Sequence, residues 1–134
     1  MYKTFYRVSV EKEMVDGLND KLLFESYKED YDEAKKLANK IKRDLAEKGY
    51  KKSFTSKHDY LGDWNWTWAY EKASWDNGFS CTDIEVDFCN EGWMEDYNGK
   101  ILFYSGDGKT HEFNTEDEAM KYVSEIEKKY SWNW

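Results

Sequence analysis

The sequence predicts an α+β domain: an antiparallel sheet of about five to seven strands with two helices packed on one face. Three observations carry this. Short segments of alternating apolar and polar residues recur along the chain, the period of a half-buried strand. Two segments instead carry apolar residues at offsets 0, 3, 4, 7 and 11, the stripe of an amphipathic helix. Gly, Asn and Asp punctuate the intervals and proline is absent, which favours short, regular connections.

Residues 2–10 alternate Tyr2, Thr4, Tyr6, Val8 and Val10 against Lys3, Phe5, Arg7 and Ser9 and read as a strand. Gly17, Asn19 and Asp20 mark a loop, and KLLFESY at 21–27 reads as the antiparallel partner. Asp30 is the expected N-cap of the first helix, with Glu33 completing a capping box. That helix buries Ala34, Leu37, Ala38, Ile41 and Leu45 and ends near Lys48, with Gly49 at the C′ position.

Residues 51–57 read as a short strand or a loop, whereas 64–72 and 81–89 are strands joined through Asp76, Asn77 and Gly78. The register of this hairpin decides what its tryptophans do. A two-residue turn pairs Trp68 with Asp87 and puts aromatics and carboxylates on one face. A three-residue turn, with Gly78 in the left-handed region, pairs Trp66 with Phe88, Trp68 with Val86 and Tyr70 with Ile84. A one-residue slip exchanges faces, and burying each large apolar side chain is worth roughly 1.5–3 kcal/mol. The three-residue turn is therefore expected, with Trp66, Trp68 and Tyr70 in the core. The reverse face then carries Glu71, Asp83, Glu85 and Asp87, with like charges opposed across the ladder.

Residues 93–97 read as a further short strand, turning through Asn98 and Gly99 into KILFYS at 100–105. Gly106, Asp107 and Gly108 form a turn, 109–114 return, and Thr115 with Glu118 caps a second helix that buries Ala119, Tyr122, Val123, Ile126 and Tyr130. DEAKKLANKI at 32–41 and DEAMKYVSEI at 117–126 share five identities, as a duplication or as two solutions to one packing problem. The plan is one domain, 1–134: a ββα unit at 1–49, an acidic Trp-rich hairpin region at 50–99, and a second ββα unit at 100–134.

Net charge is −8, and its placement is informative. Between Ala73 and Gly99 there is no Lys or Arg, while Asp76, Asp83, Glu85, Asp87, Glu91, Glu95 and Asp96 all fall there. Such a field repels nucleic acid and attracts basic surfaces. The lysines and Arg43 of the first helix are diluted by acids and read as a solvated face. No apolar run approaches the ~20 residues of a membrane span, and MYKTFYRVSV has no apolar leader core. Cys81 and Cys89 stand about 26 Å apart on an extended strand, too far for a disulfide. Two reduced thiols suit a cytoplasmic protein.

No catalytic or cofactor motif is expected. GDGKT at 106–110 lacks the first glycine of a phosphate loop, that position being Phe103. The two histidines lack zinc spacing. Asp83, Glu85 and Asp87 alternate along one strand about 6.6 Å apart and are expected to splay rather than share an ion. In its small size, acidity and aromatic content the chain resembles in style the accessory proteins of phages and mobile elements, including anti-CRISPR proteins, though no motif places it in a family.

The expected function is a non-enzymatic protein-binding module or inhibitor. It would use Glu71, Asp83, Glu85, Asp87, Glu91, Glu95 and Asp96, with Trp75, Phe79 and Trp93, to occupy a basic surface, such as that of a nucleic-acid-binding enzyme, as a DNA mimic does. The alternative is a nucleotide or saccharide binder in which Trp64, Trp75 or Trp93 lines a cleft, with Asn65 or Asn90 as polar anchors. The tail, Ser131 to Trp134, is expected to fold back onto the core or to meet another chain.

Overall fold

The computed structural model describes residues 2–13, 20–75 and 78–130. The expected loop residues Gly17 and Asn19, the turn residues Asp76 and Asn77, and the tail 131–134 lie outside them. The elements run β1 (Lys3–Thr4), β2 (Tyr6–Lys12), β3 (Lys21–Lys28), α1 (Tyr31–Glu47), β4 (Lys51–Tyr60), β5 (Asp63–Ser74), β6 (Ser80–Cys89), β7 (Trp93–Tyr97), β8 (Lys100–Tyr104), β9 (Thr110–Phe113) and α2 (Glu116–Glu125), with a 3-10 turn at Ile126–Lys129. The fold is α+β, with all strand pairs antiparallel.

The strands form two sheets, not the single sheet expected: five strands in the order β3-β2-β6-β5-β4 and four in the order β1-β7-β8-β9. A strand has two hydrogen-bonding edges, and both edges of β6 are taken by β2 and β5. The next segment, β7, therefore has no edge of β6 to join. Gly92, at φ +96°, redirects the chain between them. The residues 2–10 do not form one strand either. Phe5 interrupts them, donating its N–H to the Gly92 carbonyl at 3.0 Å, so β1 joins one sheet and β2 the other. The strand–strand–helix order recurs at both ends of the chain, but the two helices do not share one sheet face.

Helix α1 covers one face of the five-stranded sheet. Its N-cap Asp30 accepts the Asp32 N–H at 3.0 Å. At its end Gly49 takes φ +90° and Tyr50 donates its N–H to the Leu45 carbonyl. Ala34, Ala38, Ile41 and Leu45 pack on Val8, Val10, Phe24, Ile84, Val86 and Phe88. The hairpin register is the three-residue one, with Trp66 opposite Phe88, Trp68 opposite Val86 and Tyr70 opposite Ile84. Tyr70 is buried, but Trp66 and Trp68 are half-buried and stacked on each other at 5.8 Å. One helix is about 10–12 Å across and strands stand about 4.8 Å apart, so α1 cannot roof all five. Lysine stems complete the cover, with Lys42 Nζ 3.7 Å from the Trp68 ring centre.

A second core lies against the four-stranded sheet. Phe5, Tyr27, Met94, Phe103, Ala119, Val123 and Ile126 form it, with α2 as its lid. Thr115 Oγ1 accepts the Glu118 N–H at 3.2 Å, and Glu118 reaches back to the Asn114 N–H at 3.3 Å. A half-buried ion pair joins β2 to β3 within the five-stranded sheet. Arg7 Nε and Nη2 bond Glu25 Oε2 at 2.7 and 2.6 Å. Burial works against the guanidinium, but Glu25 outweighs it and holds Arg7 above its usual value. Tyr27 donates to the same carboxylate at 3.3 Å and accepts the Gly106 N–H at 2.9 Å. A side chain at 106 would strike the end of Glu91 and come within 3.0 Å of Arg7 Cδ, so those side chains would have to shift to admit one.

Candidate functional site: an acidic face, an aromatic tip and a cleft

Strand alternation sends every second residue of β2, β5 and β6 away from α1. On that reverse face Glu85 stands between Glu11 of β2 and Ala69 of β5, Ser9 and Thr67 flank Asp87, and Asp83 opposes Glu71. Towards β3 the same face is covered, since Tyr27, opposite Arg7, packs in the core under α2. Thr67 donates its hydroxyl to Asp87 at 2.6 Å. Among the described residues, Glu11, Asp83, Glu85 and Asp87 make no ion pair with a lysine or arginine. Burial and then Asp87 raise the Glu11 carboxyl above its ordinary value. Glu85 is raised by burial, then by Asp87 and Glu11, and every charged neighbour acting on it is itself acidic.

Glu11 was not visible as a site residue. Its meeting with Glu85 depends on the pairing of β2 with β6, strands far apart in sequence. The only local signal was the alternation Arg7, Ser9, Glu11. The expectation that Asp83, Glu85 and Asp87 splay fails for Glu85 and Asp87, which converge with Glu11, while Asp83 groups instead with Glu71 and Cys81. Oxygens of Glu11, Glu85 and Asp87 lie within 4.8 Å of one another, as do ligand atoms of Glu71, Cys81 and Asp83. The neighbouring strand supplies what one strand cannot, and the first trio has the oxygen donors a hard cation takes. Cys81 is exposed, and burial followed by Asp83 and Glu71 raises its thiol. Cys89 is buried and its thiol is pushed up to about 12, mainly by that burial, so neither cysteine has the lowered value of a nucleophile.

Among the described residues, the β5–β6 hairpin projects past its neighbours. Lys72–Thr82, Ala73–Cys81 and Ser74–Ser80 pair beyond the last rows shared with β2 and β4. At its end Trp75 and Phe79 lie against each other at a tilt, ring centres 4.7 Å apart, while 74% and 62% exposed. Phe54, opposite Ala69 on the edge strand β4, adds a third apolar ring, 51% exposed, beside the acidic row. It too was missed, because β4 did not read firmly as a strand. A bulge at Ser53 sets its register.

The remaining expected site residues lie elsewhere. Glu95 and Asp96 belong to β7 in the other sheet, where Glu95 accepts the Tyr104 hydroxyl at 2.9 Å. Glu91 and Trp93 line a cleft of about 900 Å³ where the end of β4 and β5 meets the β6–β7 connection and the β8–β9 turn. Tyr60, Asp63, Trp64 and Asn65 line it as well. Trp75 does not reach it. Asn90 is consumed by the fold: its Oδ1 accepts the Trp64 N–H at 2.8 Å and its Nδ2 donates to the Gly62 carbonyl at 3.0 Å. Asn65 Oδ1, by contrast, is buried and without a partner. Among the described residues, no helix is long and apolar enough to cross a membrane.

Comparison of the chain with protein families, curated proteins and solved structures finds no match.

Proposed function

We propose that this protein is a small acidic binding module or inhibitor that docks its reverse sheet face and hairpin tip on a basic protein surface. The observation that carries the reading is the row of Glu11, Glu85 and Asp87, close together and without an ion pair to a lysine or arginine among the described residues. Like charges opposed across a ladder lower stability, so a basic partner has repulsion to relieve. Trp75, Phe79 and Phe54 supply exposed rings of the kind that anchor interfaces. A groove that otherwise holds nucleic acid is the most complementary target, which makes the protein a DNA mimic in the cytoplasm, of the anti-defence style of phages and mobile elements. It acts without cofactor and without binding nucleic acid itself.

The test is capture from bacterial lysate by wild type and by Asp83→Lys/Glu85→Lys/Asp87→Lys, at low and high salt, with mass spectrometry of what is retained. A nucleic-acid-binding protein held only by wild type, lost at high salt and displaced by added duplex DNA, is the expected result. Equal retention by both proteins would sink the reading.

A second reading is a small-ligand site in the cleft, favoured because Trp64, Trp93 and Asn65 converge there. No Lys or Arg lines it among the described residues, which weighs against a phosphate-bearing nucleotide and leaves a saccharide. Tryptophan fluorescence on titration with saccharides tests it. A shift that survives the triple charge reversal would favour this reading over the first.

A further inference from the structure

The geometry points to a specific guest for the cleft: we infer that it receives an arginine side chain. Among the described residues no Lys or Arg lines it, so its full charges are negative, although Thr4, Tyr6, His58 and Tyr60 add neutral groups that can donate. Asp63 and Glu91 bring two carboxylates and make no ion pair among the described residues. Asn65 adds a buried carbonyl-type oxygen without a donor. Two polar residues that could have donated are engaged within the fold, Asn90 to the Gly62 carbonyl and Ser105 to the Lys109 carbonyl. A saccharide hydroxyl brings a donor and an acceptor together. A guanidinium brings five donors and no acceptor, which matches a lining of carboxylates and an unpartnered carbonyl.

The aromatic walls favour the same guest. Trp93 is stacked on Tyr104 at 4.8 Å and 21° and remains 38% exposed. Tyr60, also lining the cleft, is 76% exposed. A planar guanidinium lies flat on such a ring while its edge reaches carboxylates. The volume exceeds what a lone ammonium fills, and it admits the whole arginine stem. The cleft opens beside the reverse face of the five-stranded sheet, since His58 and Asn65 line it and pair on that face in the row of Cys89. A basic partner lying along the acidic row can therefore send one arginine into it. The inference rests on the proposed function only for where that arginine comes from.

The test uses the full chain and three probes: N-acetyl-arginine methylamide, its lysine counterpart, and methyl β-glucoside. Tryptophan indole resonances in 15N-labelled protein report binding, read for wild type, Asp63→Asn/Glu91→Gln, Trp93→Ala, and the Asp83/Glu85/Asp87 lysine triple variant. The expected result is saturable binding of the arginine probe, tighter than the lysine probe. It should weaken at least about fivefold in Asp63→Asn/Glu91→Gln and in Trp93→Ala, in line with the strength of a cation–π contact. The triple variant should bind as wild type does, which separates failure of this site from failure of the acidic-face reading. Binding of the glucoside in preference, or no arginine binding, overturns the inference. So does arginine binding that is indifferent to the Asp63/Glu91 variant, whose surface substitutions leave the core intact.

Discussion

The two faces of β6 are built from the same ten residues and have opposite characters. Ile84, Val86 and Phe88 point under α1 and are almost fully buried, while Asp83, Glu85 and Asp87 point the other way and are half-exposed. The covered face has what stability asks for, close-packed apolar groups. The reverse face gathers like charges that a neutral Thr or Gln would spare. The difference teaches where to look for function, because one strand serves both faces and only one of them is explained by folding.

The largest way to sharpen this contrast is on the covered side. Phe88→Ala removes a ring that packs on Trp64 at 5.0 Å and on Tyr6 and Tyr31. It should cost about 3–5 kcal/mol, read as a drop in the urea midpoint. Partner binding at a temperature where the variant stays folded should be unchanged. A loss of affinity in the folded variant would break the division of labour between the faces.

The hairpin tip comes next. Trp75→Ala/Phe79→Ala should weaken partner binding by ~2 kcal/mol or more, the scale of an interface hot spot. Unfolding free energy should move by no more than about 0.5 kcal/mol, as exposed positions do. A large stability loss with intact binding would make the tip a structural element instead.

The smallest effect is the most diagnostic. Glu85→Gln should raise stability near neutral pH by roughly 0.2–1 kcal/mol, the cost of like charges across a ladder, while weakening binding of a basic partner. The pH dependence follows from the raised carboxyls of Glu11 and Glu85, whose ordinary value is 4.5. A group that holds its proton more tightly when folded stabilises most below its unfolded value. That contribution disappears as pH rises through the folded one. These two groups therefore favour the fold more near pH 4.5 than near pH 7. Glu11→Gln/Glu85→Gln should remove that slope from the urea midpoint, and an unchanged slope would show that the repulsion is too screened to matter.

Much of this arrangement was legible in the chain. The stripe of α1, its Asp30 cap and its Gly49 stop depend on residues within a few positions of one another. The hairpin register followed from one comparison of buried area, and it places Glu71, Asp83, Glu85 and Asp87 together. Other features were not legible. Glu11 joins the acidic row through β2, Phe54 through an edge strand with a bulge, and the cleft forms where segments near residues 4, 60, 91 and 106 converge. The single-sheet expectation failed for the same reason. Nothing local says that β2 will occupy the free edge of β6 and turn β7 away.

The amino-acid sequence by itself determined the elements, the two helical stripes, the alternation of the central hairpin and the concentration of negative charge. Each of these is set by side-chain periods and turn chemistry over a few residues. Tertiary structure alone decided the split into two sheets, the company Glu85 keeps, and the cleft between Trp64 and Trp93. Those depend on which strand edges and faces remain free once every other segment has packed, and that is a property of the whole chain.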